Sequence, residues 1–367
     1  MAHITGDPVF QLNTVLWMLQ AFPDREGAVN PVLRHNGYAV RALGKRLSAL
    51  PEIERALATQ LNLKGLPQPD VLASAPTGSH WPIFECKSSS FSAESSTSEQ
   101  ASKIIARAAD VAVVAGLPPG KSIPGAVVYV TRSDQAKAIG ATLFELSELI
   151  VQSGLSPAPA SSVGLTVEPG SGVIVQLLAG ELPGPAGEVL AEPVVVVPAA
   201  GDEEMARPLY FIPFDPSVSQ APEERQYCLR VLLERGRAHA ASVIGRAEAQ
   251  GTAVLDGLQL LRDATYGLSQ HWSDIGSRDK AAHEILRYSK LAIRQMKSKV
   301  PHLADGNNPP RIEVLLTSSD QRQACAEAIM ALPLPGDAEL PATLEQELPF
   351  ADGRDVIGPV APQPAGE

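Results

Sequence analysis

The sequence is poor in cysteine and aromatic residues and lacks long apolar runs. Its 367 residues include three cysteines, Cys86, Cys228 and Cys325, and no C-x-x-C pair. This excludes a disulfide framework and predicts a reducing, cytoplasmic compartment. No run of about 18 apolar residues occurs, so we expect no membrane span. The N-terminus has no basic region before an apolar one, so we expect no secretory signal.

Acidic residues outnumber basic ones, and the net charge of −11 argues against a generic nucleic-acid coat protein. The charge is uneven along the chain, however. Residues 1–110 are neutral and residues 111–220 carry −7, whereas residues 221–302 carry +4 and residues 303–367 carry −8. The first and third segments are therefore the two that remain able to meet a polyanion.

Composition and hydrophobic periodicity divide the chain into four parts. We expect a core domain over residues 1–155 and a β-rich insertion or subdomain over 156–218, where valine-rich runs alternate with Pro and Gly. Residues 219–332 predict a mainly helical module with one strand, and residues 333–367 a flexible acidic tail.

Within the first part, the apolar spacing predicts helices and short strands. The expected helices are 9–22, 31–48, 51–62 and, after a serine-rich loop, 99–110. The expected strands are a hairpin over 69–89 and a β-branched strand at 125–131. Further strands are expected at 163–167, 172–178, 189–197, 208–214 and 311–319.

Charged residues occur in the expected hairpin where apolar ones would be usual. Pro69-Asp70 is followed after 14 residues by Glu85-Cys86-Lys87. Side chains alternate across a strand, so Glu85 and Lys87 share a face, and hairpin pairing would bring Asp70 beside Glu85. Two carboxylates there are suitable ligands for Mg²⁺, and Lys87 could orient water or offset charge in the transition state. The alternative is a structural surface hairpin with a single ion pair, Glu85–Lys87 or Asp70–Lys87.

These residues resemble the PD-(D/E)xK motif of the restriction-endonuclease-like nuclease superfamily, over roughly residues 40–135. The family core is a helix, a mixed sheet whose second and third strands carry the motif, then a helix and another strand. The resemblance implies an α/β fold with a restriction-endonuclease-like mixed-sheet core, a β-rich middle segment and a helical C-terminal module. It also implies metal-dependent phosphodiester hydrolysis, with Asp70 and Glu85 as Mg²⁺ (or Mn²⁺) ligands and Lys87 as the catalytic lysine.

Two further features of the family have candidates here. Many members add an upstream helical glutamate, for which Glu52 and Glu54 are both candidates, and we take Glu54 as the accessory residue. One subgroup places a glutamine in the following helix with a tyrosine four residues on. Gln100 fits the glutamine, but Ile104 stands where the tyrosine would be, so the subgroup pattern is incomplete.

Two other segments suggest contacts with phosphates. Residues 115–122 (AGLPPGKS) fit a relaxed phosphate loop, with Lys121 as its lysine, but a strand rather than a helix follows, so we favour a turn.

The expected helix at 280–299 carries a basic stripe that could follow a nucleic-acid backbone, with Tyr288 near it for stacking. A solvated helix face is the alternative. The stripe consists of Arg287, Lys290, Arg294 and Lys297.

Taken together, the motif and the resemblance imply a Mg²⁺-dependent DNA nuclease, endo- or exonucleolytic, that acts in a process such as phage defence or DNA processing, and we expect no membrane partner. A protein partner on the helical region 221–299 and a homodimer are both compatible with this hypothesis. The alternative is a non-catalytic DNA- or protein-binding subunit of a larger complex. A nucleotide-binding regulator that uses Lys121 is a third, weaker hypothesis.

Overall fold

The computed structural model describes residues 4–20, 29–76, 80–109, 111, 123–198, 222–248, 250–296, 300–307 and 309–334. The phosphate-loop candidate at 115–122, the strand expected at 208–214 and the tail from residue 335 lie outside them. The chain divides into two compact units. One comprises Met1–Phe211 with His271–Ser273, and the other comprises Ile212–Gln270 with Asp274–Glu367.

A seven-stranded mixed sheet forms the centre of the first unit, with its strands in chain order from β1 to β7. The pairs β3–β4 and β4–β5 are parallel, and the other neighbouring strands are antiparallel. The α/β class is therefore confirmed. The strands are β1 (Ala39–Leu43), β2 (Val71–Ser74), β3 (Trp81–Cys86), β4 (Gly125–Arg132), β5 (Ala160–Glu168), β6 (Gly172–Gly180) and β7 (Val194–Val197).

The helices of this unit connect and cover the strands. Since parallel neighbours need crossover connections, α4 joins β3 to β4 and α5 joins β4 to β5. Asp7 caps the first helix by accepting a hydrogen bond from the Val9 amide at 2.8 Å, and Pro8 occupies its first turn. A 3₁₀ turn at Ile4–Gly6 precedes the helices α1 (Pro8–Leu19), α2 (Val32–His35), α3 (Pro51–Gln60), α4 (Ser96–Ala108), α5 (Ser133–Gln152) and α6 (Pro185–Leu190).

The core of the first unit lies between one face of the sheet and helices α4 and α5. Ile83, Val127 and Tyr129 contribute the sheet side of a fully buried cluster, and Ile104 and Ile139 contribute the helix side. Burial of such large side chains stabilises the fold by roughly 1.5–3 kcal/mol each, so this layer anchors β3 and β4 rigidly.

The helix expected at 31–48 is wrong. The structure has the short helix α2 and then β1, which pairs antiparallel with β2. Gly37, with φ of 81°, adopts the left-handed conformation that ends helices, and the Asn36-Gly37 pair therefore terminates α2. The alternating burial along β1 is that of a strand.

The β-rich segment 156–218 is not a separate insertion in its described part. Strand β5 pairs parallel with β4, from Val127 opposite Ala160 to Arg132 opposite Leu165, and β6 and β7 extend the same sheet. An exposed edge of β4 would leave backbone groups unpaired, and the valine-rich strands satisfy them by joining it. The boundary expected at residue 155 therefore lies inside one unit.

The second unit combines helices with a three-stranded antiparallel sheet in the order β8–β10–β9. A mainly helical module with one strand was expected there; the described residues are mainly helical, but they form three strands and not one. Strand β8 begins at Gly251, and its burial alternates as in a strand. The elements are α7 (Pro222–Arg246), β8 (Gly251–Asp256), α8 (Gly257–Ala264), a 3₁₀ helix (Leu268–His271), α9 (Ile275–Arg294), β9 (His302–Asn307), β10 (Pro310–Leu316) and α10 (Ser319–Ala331). None of the helices in the described ranges is long and apolar enough to span a membrane.

Candidate functional site

The β2–β3 hairpin brings Asp70 and Glu85 together. Val71 pairs with Phe84 and Leu72 with Ile83, so one further step in this register places Asp70 opposite Glu85. The Asp70 carboxylate Oδ2 accepts a hydrogen bond from the backbone amide that follows Glu85, at 2.6 Å. Both acids are buried, with exposed fractions of 7% for Asp70 and 2% for Glu85. The structure thus places the two carboxylates side by side, as the spacing predicts.

Lys87 lies at the end of β3 and forms an ion pair with Glu85. Its Nζ is 2.9 Å from Glu85 Oε1, and its side chain is 23% exposed. The backbone carbonyl of Lys87 accepts hydrogen bonds from Thr131 Oγ1 on β4, at 2.7 Å, and from Gln11 Nε2 on α1, at 3.0 Å. The lysine is therefore fixed from two separate elements.

The charge state of Lys87 follows from competing effects. Burial lowers the pKa of its ammonium group, but the negative charges of Glu85 and Asp70 and the hydrogen bond to Glu85 outweigh this effect and raise it. Lys87 therefore carries a positive charge at neutral pH. In this state it can stabilise negative charge on a substrate, and it cannot accept a proton.

Gln100 reaches the same carboxylate from α4. Its Nε2 donates a hydrogen bond to Glu85 Oε1 at 2.9 Å, so this oxygen accepts from both Gln100 and Lys87. Ser95 caps the helix, since its Oγ accepts a hydrogen bond from a backbone amide of the first turn at 3.1 Å. Ile104, at the position of the missing tyrosine, is buried in the core.

Sequence reasoning missed Tyr129, which lies beside Glu85 on the neighbouring parallel strand. The ring is fully buried, and its hydroxyl has no hydrogen-bond partner within the described part of the chain. Burial and the charges of Glu85 and Asp70 raise the pKa of the phenol well above its usual range. The tyrosine within the otherwise apolar run GAVVYVT could have marked it as a candidate site residue. Its alignment with Glu85, however, depends on a parallel pairing between distant strands.

Gln11 was also missed. It is fully buried on α1, and it donates to the carbonyl of Thr5 at 2.7 Å as well as to that of Lys87. A buried glutamine in an apolar helix was visible in the sequence, but its target was not. We regard Gln11 and Thr131 as positioning residues for the Lys87 backbone.

The accessory glutamate is engaged elsewhere. The two carboxylate oxygens of Glu54 accept hydrogen bonds from Arg107 at 2.8 and 2.7 Å, and Oε1 also accepts one from the Ala49 amide at 2.9 Å. Burial raises the pKa of Glu54, but these hydrogen bonds and the Arg107 charge lower it overall. Within the described residues, Glu54 therefore links α3 to α4 and has no contact with Glu85. Glu52 is exposed to solvent.

The residues of the site suit a cation held by few protein ligands. Within the described ranges, no group of three or more His, Cys, Asp and Glu side chains lies together as a metal site. Asp70 and Glu85 supply two carboxylates, and Mg²⁺ commonly binds one or two together with waters and substrate phosphates. The donor set therefore fits Mg²⁺ or Mn²⁺, and it does not fit a metal that needs an all-protein cage.

Comparison with known proteins adds no relative. No family model, no curated protein and no solved structure matches this chain. The resemblance to the nuclease superfamily thus consists of the motif and the order of elements around it.

The basic stripe of α9 is less free than the sequence predicts. Lys290 forms an ion pair with Asp305 on β9. Arg294 is exposed, and Lys297 lies outside the described residues. The described part of the stripe therefore offers a nucleic acid fewer uncompensated charges than the helical spacing suggests.

Arg287, the remaining described residue of the stripe, and its neighbour Tyr288 differ in exposure. Arg287 is 4.0 Å from Glu284, measured between Nη1 and Oε1, and is partly exposed. Tyr288 is fully buried, and its hydroxyl donates to the backbone carbonyl of Leu332. The expectation that Tyr288 stacks on a base is therefore wrong, because the ring packs in the core of the second unit.

Proposed function

We propose that this chain is a metal-dependent nuclease that hydrolyses DNA phosphodiester bonds. The observation that carries this proposal is the cluster of the buried Asp70 and Glu85 with the partly buried Lys87 at the end of the β2–β3 hairpin. Taking charges out of water costs several kcal/mol per ion, and well-packed apolar residues are often at least as stable as a buried ion pair. Charged groups at such positions are typical of a functional site.

The order of elements around the cluster supports a restriction-endonuclease-like core. Helix α3, strands β2 and β3, helix α4 and strand β4 follow one another as in that superfamily, and the motif residues flank or lie on β2 and β3. Parallel pairing of β3 with β4 places Tyr129 beside Glu85. This fold assignment is part of the proposal.

Each residue of the cluster has a distinct chemical task in this proposal. Asp70 and Glu85 would hold Mg²⁺ or Mn²⁺, which when bound supplies Lewis-acid activation of water and of the phosphoryl oxygen. Lys87 places a fixed positive charge where negative charge develops on the phosphate. Gln100 orients the Glu85 carboxylate through its hydrogen bond.

A non-catalytic binding subunit is the second candidate. The ion pair between Lys87 and Glu85, at 2.9 Å, would then be purely structural, as the pair between Glu54 and Arg107 is. This candidate also predicts binding to DNA or to a protein, but no metal-dependent turnover. Phage defence and DNA processing are biological settings that either candidate would allow.

A cleavage assay separates the two candidates. Purified protein is incubated with supercoiled and linear DNA in Mg²⁺, Mn²⁺ or EDTA. Asp70→Asn removes a ligand charge of the proposed metal site, and Lys87→Gln removes the positive charge at the reacting phosphate, so each should lower the cleavage rate by about 100-fold or more. Lys64→Gln is the matched control, because Lys64 is an exposed lysine of the same unit.

The controls make the outcome decisive. Lys64→Gln should cleave as the wild type does, and all variants should keep the circular dichroism spectrum of the wild type. Metal-dependent cleavage that persists in Asp70→Asn and Lys87→Gln would refute the site. Binding of DNA without cleavage by the wild type in either metal would favour the binding subunit.

A further inference from the structure

A polar cavity lies in the C-terminal unit, between α8 and the start of α9. Its volume is about 310 Å³, and two arginines, Arg262 and Arg278, line it. The size lies at the lower end of the range for small-molecule sites, which is roughly 300–1,000 Å³. A cavity of this size that contains two guanidinium groups is suited to an anionic ligand larger than an inorganic ion.

Both arginines have unused hydrogen-bonding capacity. The Arg262 side chain is exposed and forms no ion pair or hydrogen bond with any described residue. Arg278 Nε is buried without a hydrogen-bond partner in the described ranges, and its nearest carboxylate oxygen, Asp279 Oδ1, is 3.6 Å away. The Arg278 side chain is 27% exposed overall, so a ligand in the cavity would reach its terminal guanidinium nitrogens and not the buried Nε.

Two nearby carboxylates, Asp256 and Asp279, offset only part of this positive charge. Asp256 lines the cavity but caps α8, since its Oδ1 accepts a hydrogen bond from the Gln259 amide at 2.9 Å. The positive end of the helix dipole offsets part of its charge. Asp279 Oδ1 is buried 3.6 Å from Arg278 Nε and offsets part of the Arg278 charge, so the charge of Arg262, which has no such partner among the described residues, is the main attraction for an anion.

The other walls of the cavity indicate the class of ligand. Gln259 and Gln270 bring side-chain amides, which carry both donors and acceptors, and Leu258 brings an apolar surface. Gln259 Nε2 donates to Asp263 at 2.8 Å. Guanidinium forks match phosphate oxygens, whereas amides and an apolar wall suit the edge and face of a base.

We propose that this cavity binds a nucleotide, with its phosphate on Arg262 and Arg278. The nucleotide is either one residue of a nucleic acid strand or a free mononucleotide, and both present the same phosphate. The proposal does not depend on the nuclease site, since the cavity lies within the other unit. The cavity would be a contact site for nucleic acid that is separate from the partly neutralised stripe of α9.

The test measures binding by the full chain in EDTA, so that cleavage plays no part. The probes are a short fluorescent single-stranded DNA, followed by polarisation, and AMP, followed by calorimetry. We expect the wild type to bind at least one probe, and Arg262→Gln and Arg278→Gln each to weaken binding about tenfold. For the DNA probe, each variant should also lower the salt slope by about one. Binding of DNA alone would identify a strand as the ligand, and binding of AMP would identify a mononucleotide.

Arg311→Gln is the matched control, because Arg311 is half-exposed in the same unit and pairs with Glu313 at 3.3 Å. It removes the same charge outside the cavity and should bind as the wild type does. Arg278→Lys, which keeps the charge but loses the fork, should also bind more weakly than the wild type. Failure of the wild type to bind either probe would overturn the proposal. An equal affinity of Arg262→Gln and Arg311→Gln would overturn it as well, whether or not the chain proves to be a nuclease.

Discussion

Single residues of the candidate site differ in how they satisfy their polar groups. Glu85 Oε1 accepts from Lys87 and Gln100, and the Lys87 carbonyl is held by Gln11. The Tyr129 hydroxyl, in contrast, has no hydrogen-bond partner within the described chain. Buried groups of this kind cost roughly 1–3 kcal/mol, and they often mark sites where function rather than stability decides the residue.

Replacement of Tyr129 by Phe should therefore stabilise the protein. We expect the free energy of unfolding to rise by about 1 kcal/mol, because the hydroxyl has no described partner to lose. Urea denaturation followed by circular dichroism measures the change. Tyr38→Phe is the matched control, since the buried Tyr38 hydroxyl accepts a hydrogen bond from the Ala186 amide at 3.1 Å. That variant should lose about 1 kcal/mol, and an equal loss in Tyr129→Phe would contradict the account.

The site residues show how far the sequence predicts local geometry. Alternation along a strand and hairpin pairing were sufficient to place Asp70, Glu85 and Lys87 together, because these contacts are between neighbouring segments. Tyr129 and Gln11 could not be predicted. Their contacts depend on the parallel alignment of β3 with β4 and on the position of α1, which no local pattern specifies.

At the scale of elements, an ion pair fixes the position of α3 on α4. Arg107 is almost completely buried, with an exposed fraction of 1%, and Glu54 is its partner. The helical period correctly predicted both helices, but it could not show that Glu54 faces Arg107. The helical spacing of residues 31–48 likewise predicted a helix where the structure has β1, because it did not show that Gly37 adopts a left-handed conformation that ends α2.

Loss of the Glu54 charge should destabilise the protein in a pH-dependent way. Glu54→Gln leaves Arg107 buried without a counter-charge, so we expect a loss of about 2 kcal/mol at pH 7. The folded-state pKa of Glu54 is lowered from 4.5, so its stabilisation is complete above that pH and disappears as the pH falls through the folded pKa. Thermal melts from pH 7 to 3 should show the difference between wild type and variant shrinking on acidification. A difference that stays constant with pH would contradict the assigned ion pair. Glu52→Gln is the control: because Glu52 is exposed, its melting temperature should equal that of the wild type at each pH.

At the scale of the whole molecule, the charge distribution predicts weak binding to DNA without a metal. The chain carries −11, and the site itself combines two carboxylates with one lysine. A phosphate backbone is repelled by such a surface unless a cation neutralises the acids. The sequence indicated the charge segments, but the pairing of β5 with β4 and the three-stranded sheet of the second unit required the structure, since both depend on long-range strand pairing.

Divalent cations should therefore tighten DNA binding. We expect Ca²⁺, which occupies carboxylate sites and commonly supports binding without turnover, to raise the affinity for a duplex about tenfold over EDTA. Fluorescence polarisation measures this ratio. In Asp70→Asn the ratio should fall towards one, whereas Asp320→Asn, on an exposed helix start, should keep it. An equal ratio in all three proteins would show that the cation acts away from Asp70.

The most direct test of the proposed activity is the single-turnover cleavage rate of a labelled DNA duplex in Mg²⁺, compared between the wild type and Asp70→Asn. We expect cleavage by the wild type that EDTA abolishes, and a rate at least about 100-fold lower in Asp70→Asn, which keeps the shape of the side chain but loses its charge. Equal rates in the two proteins, or the same rate in EDTA, would contradict this expectation.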